Sequence, residues 1–196
     1  MNLRDFLTQA INPGTEAALD LLMKNAEVCH VKKGEILVSA GEPQTHLIYI
    51  IEGVIRGYIL NEAGKEITDS FAYRYGESVI ASYEFGKPSI ASFKAMSNCM
   101  YLQIPVADIQ ASMEQLPEMM QVYINSVIAA LNRQYEMKLV LYQYSALEKY
   151  LWFLKKYPGL NDAVEDKFIA SFLGMNAVTL SRVRRQLREG EAMVEK

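Results

Sequence analysis

Between Glu118 and Tyr157 the sequence runs for forty residues without a glycine or a proline. No other feature constrains the chain as much, because an unbroken stretch of that length predicts a helical rod of roughly 60 Å at about 1.5 Å per residue. Along its first part Tyr123, Val127, Ala130, Gln134, Met137 and Leu141 recur at a 4-3 spacing. A repeat of 3.5 residues keeps one stripe facing a partner helix, and Gln134 on that stripe could set its register. A domain drawn from a chain of this size cannot cover so long a rod, which favours a dimerisation helix over the alternative, a helix packed on its own β domain.

Upstream the texture is different. From Glu27 to about Ile104, short runs rich in Val, Ile, Tyr and Phe are punctuated by glycines at 34, 41, 53, 57, 64, 76 and 86. Strands at turn-marked intervals of about ten residues predict a sandwich or barrel. Helical spacing appears before them, over residues 3–25, with a break at Asn12-Pro13-Gly14 and Thr15 as a candidate cap. A short helix is expected over 106–116, ended by Pro117. The fold class is therefore α+β: an N-terminal antiparallel β-roll or jelly roll with flanking helices over 1–117, the long helix over 118–157, and an all-α end over 158–196.

That end carries the most informative pattern. Ile169, Ala170 and Leu173 share one helical face, Leu180, Val183 and Leu187 share another, and Gly174 lies between the two segments. Gly174 suits a left-handed helix end and Asn176 suits an N-cap, so a helix-turn-helix is predicted. The second helix leaves Thr179, Ser181, Arg182, Arg185 and Arg188 outward, hydroxyls first and guanidinium groups behind, as a DNA major groove requires. Charge agrees. The net charge of −3 divides into 10 basic against 16 acidic residues over 1–137 and 10 against 7 over 138–196, and Lys167 to Arg188 holds five basic residues and no acidic one. A solvated helix end complementing the macrodipole would also be basic, but it would not need the turn and the cap in register.

The composition excludes other classes. Two cysteines, Cys29 and Cys99, with two histidines, His30 and His46, are too few for a disulfide framework or a zinc site. No apolar run reaches the roughly 18 residues of a membrane span, and the charged N-terminus does not read as a signal peptide, so a cytoplasmic protein is expected. No paired carboxylates, nucleophile with base, or metal-ligand spacing points to an enzyme.

Several segments together resemble the Crp/Fnr superfamily of bacterial transcription regulators. Lys33-Gly34-Glu35-Ile36-Leu37 with Gly41-Glu42 resembles the family's early roll motif, and Ile48 to Arg56 its strand-turn-strand signature. Phe168 to Gly174 and Thr179-Leu180-Ser181-Arg182 resemble its DNA-reading end. The resemblance covers nearly the whole chain. It implies a homodimer with a cyclic-nucleotide-binding-like domain and a palindromic double-stranded DNA site met by Asn176, Val178, Thr179, Ser181, Arg182, Arg185 and Arg188. RNA polymerase is a further partner it allows.

It also implies an effector pocket at Gly76, Glu77, Ser78, Ser89 and Ile90. There the chain departs from the family, because Ser89 stands where the phosphate-binding Arg is expected. A neutral hydroxyl lacks the charge and bidentate geometry of a guanidinium, which argues against cyclic AMP, although Arg74, Lys87 and Lys94 are other cations nearby in sequence. Tyr73, Tyr75, Tyr83, Phe85 and Phe93 either meet a flatter ligand or fill the roll. An iron-sulfur form would need more cysteines, and neither histidine is singled out as a haem ligand. At the DNA end Ala177 and Val178 replace the expected polar residues, leaving Val178 to touch a thymine methyl. The sequence ends eight residues after Arg188, where no room for a β-hairpin wing is expected. A small-molecule-binding or interaction module with a degenerate helix-turn-helix is the alternative reading.

Overall fold

The β-rich stretch folds into two four-stranded antiparallel sheets in jelly-roll order, β1-β8-β3-β6 and β2-β7-β4-β5. The strands are β1 (Glu27–Val31), β2 (Ile36–Val38), β3 (His46–Glu52), β4 (Ile55–Leu60), β5 (Glu66–Ala72), β6 (Ser78–Val79), β7 (Ser92–Ala95) and β8 (Cys99–Pro105). Together with its helices this is the expected α+β class. The computed structural model describes residues 2–194, with side chains through Glu189.

Alternation along β3 and β8 divides the core in two. Ile48, Ile50 and Cys99 point between the sheets, where they meet Val38, Ile55, Phe93 and Ala95. Tyr49, Leu102 and Ile104 point outward against α1 (Leu3–Ala10), α2 (Glu16–Asn25) and α3 (Val106–Gln115) through Phe6, Leu7, Leu19 and Ile109. A period of two sends successive side chains to opposite faces, so one strand serves both cores. Thr15 caps α2 by accepting from the Ala18 amide, as its position suggested. The Tyr49 hydroxyl is buried and hydrogen-bonded to Ser126, and burial pushes its pKa up to about 12.

Two glycines show different constraints. Gly53 has φ +101°, and a Cβ there would lie 2.8 Å from the Asn98 carbonyl oxygen and 2.9 Å from the Cys99 Cα. Gly57 sits inside β4, within the apolar run 54–60. A Cβ on it would meet Ser70 Oγ and come within 3.0 Å of the Phe93 ring, so close packing requires the glycine.

The forty-residue rod is not observed. Pro117 opens α4 (Pro117–Gln143), where its fixed φ and missing N–H are tolerated, and α4 stops at Gln143. Ser145 then takes extended dihedrals, accepts from the Glu148 amide, and receives the Glu148 side chain on its own backbone N–H. This capping box starts α5 (Ala146–Lys156). Absence of Gly and Pro permitted one helix, but the Ser-x-x-Glu box stabilises a new start. At 27 residues α4 is roughly 40 Å long.

By its contacts the chain divides into two compact units. One comprises the chain up to Leu60 and Asp69–Asn132, and the other Asn61–Thr68 and the chain from Arg133 onward. The expected boundaries at 117 and 157 thus differ from the contact boundary, which cuts α4. In the second unit α5, α6 (Leu160–Ala163), α7 (Asp166–Phe172) and α8 (Ala177–Val194) pack around Phe153, Leu160, Ile169, Leu173 and Leu180, all with no exposed surface. Phe153, Tyr157 and Phe172 form an aromatic cluster with centroids 5.3–6.2 Å apart. No helix among the described residues is long and apolar enough to cross a membrane.

Candidate functional site

The join between α7 and α8 follows the residues that suggested it. Gly174 adopts φ +64°, its amide donates to the Ser171 carbonyl at 3.1 Å, and Met175 donates to the Ala170 carbonyl at 2.9 Å. A left-handed glycine lets the chain leave the helix while its last carbonyls stay satisfied. Asn176 Oδ1 accepts from the Thr179 amide at 2.8 Å and so caps α8. Leu180 and Val183 are buried and Leu187 half-buried, which orients the helix.

The remaining faces of α8 divide the basic residues by role. Arg182, Arg185 and Arg188 are exposed, with Arg185 only 3.8 Å from Glu189 in an i,i+4 pair. Arg184 is different. Its Nε donates to the Tyr150 hydroxyl at 2.9 Å, Nη1 lies 2.8 Å from Asp166, and the guanidinium sits over the Tyr150 ring. Arg184 therefore fastens α8 to α5 and α7, and three of the four arginines remain outward. Ser181, Ala177 and Val178 are exposed and Thr179 half-buried. The described backbone after Arg188 continues α8 to Val194, and residues 195–196 lie outside the described residues.

On α4 the expected seam faces the chain itself. Ala130 and Met137 are only 7% and 8% exposed, and Tyr123, Val127 and Leu141 are half-buried; of the six, Gln134 alone is exposed. Tyr123 stacks on Phe85 at 4.4 Å and donates to the Tyr83 carbonyl. A second apolar stripe lies open beside it: Met120, Ile124, Ile128, Leu131, Tyr135, Leu139 and Tyr142, with Ile128 49% and Tyr135 63% exposed. Its 4-4-3 spacing is also helical, so the sequence held two stripes and only packing distinguishes them.

The expected effector residues lie in two places. Gly76 (φ +78°), Glu77 and Ser78 form the turn into β6, where the Glu77 carboxylate accepts from the Tyr73 and Arg74 amides at 3.1 and 3.2 Å. Ser89 and Ile90 precede β7. Ser89 is 3% exposed, and its hydroxyl donates to the Ala91 carbonyl at 2.5 Å. Ile90 points into solvent. A hydroxyl closed on its own backbone offers no charge to a phosphate, so Ser89 does not replace the expected guanidinium. Arg74 lies over the Tyr73 ring and Lys94 is on β7. Phe93 is core, while Tyr75 packs on Phe6. Sequence reading missed Arg56, which is 1% exposed on β4 with its guanidinium 5.0 Å from the Tyr58 ring centroid, because a lone Arg between apolar residues gives no burial signal.

No curated protein matches the sequence. Among solved structures, FixK2 from Bradyrhizobium japonicum is 17% identical over 85% of this chain and 86% of that one, with a TM-score of 0.75. The c-di-GMP responsive global regulator CLP of Xanthomonas campestris is 12% identical over 90% and 93%, with a TM-score of 0.71. A Crp/Fnr-family protein from Eubacterium rectale, described as a transcriptional regulator, is 19% identical over 90% and 84%, with a TM-score of 0.68. These likenesses are of fold. Residues 28–115 match the cyclic nucleotide-binding domain, within a chain that shares its fold with Crp/Fnr regulators.

Proposed function

We propose that the chain is a DNA-binding transcription regulator of the Crp/Fnr type, acting in the cytoplasm as a homodimer. One observation carries the reading: α8 begins at an Asn176 cap behind a left-handed Gly174 and presents Ser181, Arg182, Arg185 and Arg188 to solvent while Arg184 is held inward. Such a helix can enter a major groove, with exposed arginines to meet guanine edges or phosphates. Residues 158–196 are the DNA-binding part, 1–117 the effector part, and 118–157 the connection that carries the dimer contact.

The partner in the dimer is a second copy meeting α4 along Ile124, Ile128, Leu131, Tyr135, Leu139 and Tyr142, since that stripe is open and the stripe through Ala130 and Met137 is not. Two-fold symmetry then implies two recognition helices and a palindromic site. Cyclic AMP is not the effector this reading supports.

The test is a gel-shift selection from a random-site library at low salt. Wild type is expected to enrich a palindrome, and Arg182→Ala/Arg185→Ala to lose at least about tenfold in affinity, as removal of two phosphate or guanine contacts predicts. Equal, weak binding by both would sink the proposal. The exposed Ala177 and Val178 at the start of α8 favour a second reading, a ligand-binding or interaction module without selective DNA binding, and that outcome would support it.

A further inference from the structure

The roll has a further opening. Between β2, the segment leading into β3, and β8 lies a cleft of about 340 Å³, at the lower end of the roughly 300–1,000 Å³ of small-molecule sites. Its apolar lining comes from Leu37, Val38 and Ile48. Its polar lining includes Glu42, His46 and Gln103, the last paired directly with Ile48 across β3 and β8, and no lysine or arginine lines the cleft.

The polar lining holds one carboxylate, Glu42, with amide, imidazole and hydroxyl groups that can both donate and accept. Gln103 Nε2 donates to Glu27 at 3.1 Å, which leaves its amide oxygen. His46 Nδ1 lies 2.9 Å from the Thr45 hydroxyl, with which it shares a hydrogen bond. Among the described residues no cation pairs with the Glu42 carboxylate. A phosphate would find no positive charge here, whereas a protonated amine would find the Glu42 carboxylate and the Gln103 amide oxygen beside apolar side chains.

The rim of the cleft is bonded to Ser89 and to the segment that follows Ser78. Gly41 N–H donates to the Ser89 carbonyl and Ser89 N–H to the Glu42 carbonyl, each at 2.8 Å, and Pro43 bridges Pro88. Gln44 donates to the Val79 carbonyl and accepts from the Ala81 amide. A ligand that draws in Glu42 thereby displaces backbone that Ser89 and Ala81 depend on.

We propose that this cleft binds a small organic amine with an apolar body, and that its occupancy is transmitted to the segments around Ser89 and Ala81. The proposal does not rest on DNA binding, and its test contains no DNA. The full chain is titrated with 2-phenylethylamine and, in parallel, with phenylacetate of the same body and opposite charge, by calorimetry and amide NMR. The amine is expected to bind saturably, to shift the Gln103 side-chain resonance, and to move the Ser89 and Ala81 amides. Phenylacetate is expected to bind at least about tenfold more weakly, and Glu42→Gln to weaken the amine about tenfold. Glu42 is exposed, so the variant keeps the fold. Absence of saturable binding, equal binding of the two probes, or an unaltered affinity in Glu42→Gln would overturn the site. Binding that leaves Ser89 and Ala81 unmoved would overturn the transmission.

Discussion

Tyr49 shows what one residue on a two-faced strand does. Its ring fills the core beneath α1 to α3, and its hydroxyl meets Ser126 of α4. The pKa is raised from 10.0 to about 12 by burial, so the folded state favours the neutral phenol. Stability from this preference is complete below pH 10, where both states are protonated, and is lost as pH rises to 12, where the unfolded chain ionises first. The loss should reach roughly 2–3 kcal/mol over that window. Tyr49→Phe is expected to flatten that part of the curve, at a cost of about 1 kcal/mol at neutral pH from the hydrogen bond. Urea unfolding at pH 7, 10 and 11.5 checks it, and parallel curves for wild type and variant would refute the assignment. The apolar run Leu47 to Ile51 made the strand legible in the sequence; the partner of the Tyr49 hydroxyl, 77 residues away, was not, because spacing in one dimension says nothing of contacts across a fold.

At the scale of elements, start and stop signals decided more than the lengths of apolar runs. Gly174 and Asn176 were readable because each acts on its own backbone, one through a left-handed φ and the other through an amide three residues on. Ser145 and Glu148 are the same kind of signal, and their box divides what an absence of Gly and Pro had joined. Ser145→Ala should cost about 1 kcal/mol and fray the start of α5, measurable as lost amide protection over residues 146–149 with α4 unchanged. Protection lost equally through α4 would instead mean that the two helices behave as one. Pro117 is a further case: a proline ends one helix and opens the next, and its place in the sequence does not say which role governs the packing.

At the scale of the molecule the decisive question is which stripe of α4 is free. Placing a carboxylate among exposed side chains costs little in the monomer, whereas placing one in a core leaves it desolvated. Ile128→Asp/Leu131→Asp should therefore give a folded monomer by analytical ultracentrifugation, and Ala130→Asp a protein with a far lower unfolding temperature. A double variant that stays dimeric would remove α4 from the interface. The sequence by itself determined the strand-rich roll, the capped pair of terminal helices and the concentration of positive charge on the last of them. All of these depend on periodicity and on backbone signals that act within about four residues. Only the tertiary structure decided that Arg184 is a fastening rather than a contact, that Ser89 is closed on its own backbone, and which of two adjacent stripes on α4 meets water. Each depends on groups distant in the chain and close in space, and burial is a property of the packed molecule that no local pattern carries.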